Sequence, residues 1–469
     1  MPKPNILMFI TDGHRADCLG CYGNKTLQTP NIDALSQDGV RFTRSFCAHT
    51  VSMPTRASIF TGRYPHVHGV WANGVPLART EITLPQILAE NGYRTCASGK
   101  IHFQPQQAPE YPPVIEPGGL YYGFQEVHLS ENKVGAAYLR FIDESFPELA
   151  QTARRRGALP EEAHELQWIT DQAIGFMERA ADSGTPFFCS CSFHELIPPC
   201  HPPISFADMY RPEDMPPPKA RDGELVRKPP YQRECYEAYV RLGRHPDEAT
   251  LRRYLASYYN QASFIDKQFG RIAARLKERR IWDNTIVLFT ADHGLVLNDH
   301  FLWRHGPFMY EQVINVPMIW RTPGLPGAGR VVEELVESVD IMPTILDLVG
   351  IEAPAGAQGQ SLRPLLRGDD RVKGRDSVLV QDRESPELRA REIDPTGFKI
   401  TCLRTRDWKL VHYRGQPLGE LYDLNNDPDE YENLWADPKH QSTRNDLQRL
   451  LLERLLHAED PLPQRQYHW

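Results

Sequence analysis

Apolar residues fall along this chain in two rhythms. Short, nearly continuous runs rich in β-branched and aromatic residues occupy 5–11, 186–193, 285–290 and 316–321; at that length and density they predict buried strands. Between them the spacing changes to three and four. Leu255, Tyr258, Ala262, Ile265, Phe269 and Ile272 share one face of a helix predicted over about 251–277. Thr29 and Pro30 offer a cap and a first-turn proline for another helix through Ile32, Leu35 and Ser36. Strands alternating with helices predict an α/β sheet.

The alternation breaks over about 104–166 and again over 198–246. The second break carries Pro216-Pro217-Pro218 and Pro229-Pro230, which favour an ordered insertion or lid over sheet. Past Gly368 the chain turns charged, then shows strand-like runs at 377–381 and 408–413, an acidic turn at 423–433 and an amphipathic helix at 443–457. The predicted organisation is a large α/β domain over 1–370, carrying both insertions, and a small C-terminal α+β domain over 371–469.

At 469 residues the chain exceeds what one hydrophobic core serves well, in keeping with two lobes. Its 41% hydrophobic and 24% charged residues are globular values, and no apolar run is long enough to span a bilayer. A net charge of −8 gives no basic face for nucleic acid, so an anionic ligand must be held by a local cationic pocket. The first apolar run leads straight into Asp12 with no charged n-region or small-residue cleavage site, so it reads as a strand and not a signal peptide. Nine cysteines without framework spacing suggest reduced thiols and a cytoplasmic location; Cys18 and Cys21 lack a second pair for a four-cysteine zinc site.

Three strands end on chemistry. The first delivers Asp12, the third leads to Asp292-His293-Gly294, and the second leads toward His194 and His201. Ligand sites of open α/β sheets lie at the carboxyl ends of strands, so these residues are expected to converge. One carboxylate at a strand end is ordinarily a cap or an ion-pair partner; Asp12, Asp292 and His293 together supply oxygen and imidazole ligands for a divalent cation. In Ser52-Met53-Pro54-Thr55-Arg56, Pro54 can start a helix and Gly62 can stop it. Ser52 would then stand at a helix N-terminus, where free N–H groups and the helix dipole favour an anion, and its oxygen could complete the metal shell.

In order and spacing the chain resembles the sulfatases of the alkaline-phosphatase-like superfamily. The resemblance runs through Asp12, Leu19-Gly20-Cys21-Tyr22-Gly23, residues 29–35, the S-x-P-x-R string at Ser52, Gly99-Lys100-Ile101-His102, Ala291-Asp292-His293-Gly294, residues 339–345, and residues 420–424 with Asp427-Pro428. It implies a large mixed sheet flanked by helices, with 1–370 as the catalytic domain, and hydrolysis of a sulfate monoester on a small anionic substrate. Metal ligands would be Asp12, Ser52, Asp292 and His293, with Ca²⁺ expected and Mg²⁺ or Mn²⁺ as alternatives. A sulfatase-maturating enzyme would convert Ser52 to formylglycine, whose hydrated aldehyde attacks sulfur. Arg56 would belong to the catalytic set. Lys100 would neutralise sulfuryl oxygens, His201 would protonate the leaving oxygen, and His102 would take the proton that releases sulfate.

Three positions depart from the family pattern. Gly13 stands where many relatives have a second acidic residue, His293 where many have asparagine, and His305 where a substrate-binding lysine is usual. Asn73 is a candidate for the substrate pocket, with a turn role for Asn73-Gly74 as the alternative. If Ser52 stays a hydroxyl, the site resembles a phosphatase, which makes a phosphonate monoester or phosphodiester hydrolase the second reading. A binding protein that has lost turnover is the third. The C-terminal helix and the Tyr467-His468-Trp469 tail leave room for a homo-oligomer.

Overall fold

The computed structural model describes residues 3–105, 120–131, 135–194, 196–369, 371–384, 386–389, 392–394 and 396–460. The tail at 467–469 lies outside them. The first apolar run forms β1 (Asn5–Thr11) in the middle of an eight-stranded sheet. The other strands are β2 (Val40–Phe42), β3 (Arg94–Gly99), β4 (Glu126–Leu129), β5 (Phe187–Ser192), β6 (Thr285–Ala291), β7 (Met318–Arg321) and β8 (Arg330–Val332). Their spatial order is β8-β2-β7-β6-β1-β5-β3-β4. β7 runs antiparallel to both of its neighbours and the other pairings are parallel, so the sheet is mixed.

Alternation along β1 divides the core. Leu7 and Phe9 point into one apolar cluster and Ile6, Met8 and Ile10 into another on the opposite face. Each fully buried side chain of this kind stabilises the fold by about 1.5–3 kcal/mol. Helices α1 (Pro30–Asp38), α3 (Glu165–Asp182) and α4 (Glu248–Glu278) cover the first face, and α2 (Ser52–Thr61) lies against the second.

Thr29 does not cap α1 with its side chain. Asp266 of α4 does so from across the layer, accepting the N–H groups of Asn31 at 3.2 Å and Ile32 at 2.8 Å, while Thr29 Oγ1 turns to Asp33 and the Gly20 N–H. The break at 104–166 is not all insertion, because β4 closes one edge of the central sheet in register with β3. Its four residues are too few and too polar to announce a strand. The second break contains three short 3₁₀ turns followed by a helix at Pro230–Arg241.

The C-terminal region is an antiparallel meander, β9 (Ser377–Arg383), β10 (Lys399–Thr405), β11 (Trp408–Tyr413) and β12 (Gly419–Asp423), followed by α5 (Gln441–His457). All nine cysteines are free thiols. No helix among the described residues is long and apolar enough to cross a membrane.

Candidate active site

β1 and β6 pair in register from Asn5↔Thr285 to Thr11↔Ala291, so Asp12 and Asp292 leave the same end side by side. Gly13 follows with φ +69°, and its N–H donates to Asp292 Oδ1 at 3.3 Å. A β-carbon there would stand 3.2 Å from the Leu295 side chain and 3.3 Å from the Leu196 carbonyl. Left-handed backbone and close packing together explain why this chain carries no second acidic side chain at that point.

His293 donates from Nδ1 to the Gly294 carbonyl at 2.9 Å. That bond fixes the tautomer and leaves the Nε2 lone pair facing inward, 3.3 Å from Asp12 Oδ1 and 3.1 Å from Ser52 Oγ. Ligand atoms of Asp12, Asp292 and His293 all lie within 4.8 Å of one another, and all three residues are buried. Two carboxylates, one imidazole nitrogen and a hydroxyl oxygen form a donor set suited to a divalent cation. A second cluster, Cys96, Glu126 and His128, has metal-ligand composition, but Arg179 already neutralises Glu126 at 2.6 Å.

Ser52 is the first residue of α2 and is 3% exposed. Its Oγ lies 3.3 Å from Asp12 Oδ1 and accepts from Lys100 Nζ at 3.1 Å; the same ammonium is 2.5 Å from Asp12 Oδ2. Asn73 Oδ1 accepts the Met53 N–H at 2.9 Å, so it caps α2 beside Ser52. Lys100 owes its place to Gly99, where a β-carbon would fall 1.9 Å from the Ser192 carbonyl, and to its own N–H bond with that carbonyl at 2.9 Å.

Arg56 is fully buried and acts as a brace. Its Nε donates to Asp292 Oδ2 at 2.8 Å, and its Nη1 to the Lys100 carbonyl at 2.7 Å and Ser192 Oγ at 2.8 Å, tying β6, β3 and β5 to α2. Burial alone would raise the Asp292 pKa; the Arg56 guanidinium, with Lys100, outweighs it and holds the carboxyl well below the usual range. Burial, then Lys100 and Arg56, push the His102 imidazole well below its ordinary value, which keeps it neutral at pH 7.

His305 packs edge-on against His293 with ring centroids 4.8 Å apart. It is delivered by a segment in which Asn298, His300, Phe301 and Arg304 all have φ between 55° and 72°. That strained path is held by the Arg15–Asp299 pair at 2.5 Å and the His300–Glu224 pair at 3.0 Å. His201 is half-buried on the loop after β5, where its carbonyl accepts from His164 Nε2 at 2.8 Å. The structure thus joins Asp12, Ser52, Arg56, Lys100, Asp292 and His293 in one bonded network, sets His305 against its edge, and leaves His201 on a separate loop.

Sequence reasoning missed Asp382 of β9. This buried carboxylate accepts from Thr50 Oγ1, two residues before Ser52, and the adjacent Gln381 N–H donates to the Ala48 carbonyl at 3.0 Å. The C-terminal sheet therefore supports the approach to α2, over a separation of 332 residues that no local pattern reveals.

Residues 4–351 match the sulfatase family and residues 300–457 match the N-sulphoglucosamine sulphohydrolase C-terminal region. The chain belongs to the sulfatase family. It is 29% identical to the arylsulfatase of Clostridium perfringens, covering 98% of this chain and 95% of that protein. It is equally 29% identical to the multifunctional alkaline phosphatase superfamily protein PehA of Trinickia caryophylli, over 98% and 97%. Among solved structures it resembles the phosphonate monoester hydrolase of Silicibacter pomeroyi, with TM-score 0.84, 27% identity, and coverage of 97% and 96%. This sulfatase is accordingly a sulfuric ester hydrolase by family, on a scaffold that also hosts phosphonate hydrolysis.

Proposed function

We propose that this sulfatase cleaves a sulfate monoester on a small anionic substrate, with the oxygen on residue 52 as nucleophile. The observation that carries the reading is the setting of Ser52 Oγ, at the start of α2 and within 3.3 Å of Asp12 Oδ1, 3.1 Å of His293 Nε2 and 3.1 Å of Lys100 Nζ. A divalent cation held by Asp12, Asp292, His293 and residue 52 would supply Lewis-acid activation. Ca²⁺ fits the family expectation, whereas the imidazole ligand also suits Mn²⁺ better than an all-oxygen shell would.

Lys100 is positioned to neutralise oxygens on the ester sulfur. Arg56 fixes Asp292 and the strand ends through Nε and Nη1, which supports catalysis by keeping the carboxylates preorganised. His102, held neutral, is in the state needed to accept a proton, and His201 is the candidate donor to the leaving oxygen. Ser52 is the position a sulfatase-maturating enzyme would convert to formylglycine. Peptide mass analysis of the Ser52 segment from the native host tests this, with loss of two hydrogens as the expected result.

The functional test is the ratio of kcat/KM on a matched aryl sulfate and aryl phosphonate. The proposal expects the sulfate to be preferred; a phosphonate preference above about a hundredfold, roughly 2.7 kcal/mol of barrier, overturns it. The second reading, a phosphonate monoester or phosphodiester hydrolase, draws support from the TM-score of 0.84 and would follow if Ser52 stays a hydroxyl. A binding homologue without turnover would show metal occupancy and no hydrolysis of any ester.

A further inference from the structure

We propose that Glu131 is a positioning residue of this site, whose carboxylate clamps the turn carrying Lys100 and His102 and so sets where the His102 imidazole stands. The proposal rests on the roles given above to those two side chains.

β3 ends at Gly99, and the next amides have different anchors. The Lys100 N–H donates to the Ser192 carbonyl at 2.9 Å, still within the sheet. Beyond it the strand has run out, and the N–H groups of Ile101 and His102 face no neighbouring backbone. β4 supplies what they lack. Its last residue is Leu129, the Ser130 N–H returns to the Gly99 carbonyl at 3.2 Å, and Glu131 then turns its side chain across the end of β3. Glu131 Oε1 accepts from the His102 N–H at 2.9 Å and the Ile101 N–H at 3.3 Å.

Two observations indicate that this clamp is a built feature. Glu131 is only 1% exposed, and the two backbone N–H groups that bond its Oε1 are what offsets the cost of burying the carboxylate. His102 has φ 60°, a left-handed conformation that a β-carbon resists and that persists only where surrounding bonds impose it. A shared acceptor for two successive N–H groups is such a constraint. Glu131 Oε2 has no hydrogen-bond partner among the described residues, so the bonds of this carboxylate described here all go to the turn. Because Lys100 keeps its independent bond to β5, loss of the clamp should fall mainly on His102, and hence on turnover more than on binding.

The experiment uses the full chain with Glu131→Ala, Glu131→Gln and Glu131→Asp, read by kcat and KM, bound metal, and amide hydrogen exchange at Ile101 and His102. Glu131→Gln keeps an acceptor oxygen of the same reach, and Glu131→Asp is one methylene too short to serve both amides. Glu131→Ala and Glu131→Asp should lower kcat by about a hundredfold, the scale of one misplaced acid–base group, with KM and metal content near wild type. Both should also lose exchange protection at the two amides, while Glu131→Gln keeps protection and most of its turnover.

Equal behaviour of Gln and Asp, wild-type turnover in Ala, or unchanged amide protection in Ala and Asp overturns the proposal. If the Ala variant does not fold, the Gln and Asp pair decides. Wild-type rates on the sulfate and phosphonate judge the functional reading separately. The exchange measurement judges the clamp even if that reading fails.

Discussion

The two halves of this active site are built in different ways. On the cation side, Asp12, Ser52, Arg56, Lys100, Asp292 and His293 come from strand ends and one helix start, are at most 3% exposed, and bond to one another. On the side we assign to substrate, His305 ends a path of left-handed residues, Trp71, near the Asn73 cap, is 37% exposed, and the proposed proton donor His201 is half-buried on a separate loop. Chemistry common to many esters is placed where backbone registers fix it to a fraction of an ångström. Substrate choice is left to loops that can vary without disturbing that frame.

Acid should first weaken the frame around the cation side, where His14 follows Gly13, His49 precedes α2 and His68 bonds Ser58 of α2 at 3.0 Å. Burial holds His49 and His68 at about 3 and His14 at about 4, against an ordinary value of 6.5. With folded pKa values depressed, the unfolded chain binds more protons below 6.5, so stability present at neutral pH is lost as pH falls from there toward 3–4. The three histidines together should cost on the order of 6 kcal/mol between pH 7.5 and 5, checked by denaturant unfolding across that range.

Asp292→Asn strikes the same half chemically. It removes a metal-binding charge and the partner of Arg56, and should lower kcat by about a thousandfold, roughly 4 kcal/mol, together with bound metal. Steady-state kinetics beside elemental analysis check this. Gly13→Asp asks whether the missing second carboxylate can be restored. The left-handed backbone and contacts near 3.2 Å predict destabilisation of about 1–3 kcal/mol by thermal or denaturant unfolding, with no gain in metal affinity.

The smallest effect belongs to the substrate side. His305→Lys supplies a fixed charge in place of an imidazole, and should lower KM for an anionic ester at pH 8 by about threefold with kcat little changed. An equally small effect from Asp292→Asn would erase the distinction between the halves.

The same division governs what could be read from sequence. Dense apolar runs ending on Asp12 and Asp292-His293 made the central strands and the convergence of these three side chains legible, because strand register and strand-end chemistry are local signals. Pro54 and Gly62 marked the nucleophile helix, observed at Ser52–Thr61. Contacts between distant segments were not legible: Asp266 capping α1, Asp382 bonding Thr50, and Glu131 closing over the end of β3. Each is a lone carboxylate in an unremarkable stretch, and only packing assigns its partner. Gly13 stands out in the sequence only as a departure from an acidic residue; its φ and its neighbours show a position with little room for a side chain.

The central claim is that one cation is shared by residues 12, 52, 292 and 293. Anomalous diffraction from crystals grown with Mn²⁺ tests it directly. The account predicts a single strong peak within about 2.0–2.6 Å of an oxygen of each carboxylate, Nε2 of His293 and the oxygen on residue 52. A peak elsewhere, or one that survives at full height in Asp292→Asn, would contradict it.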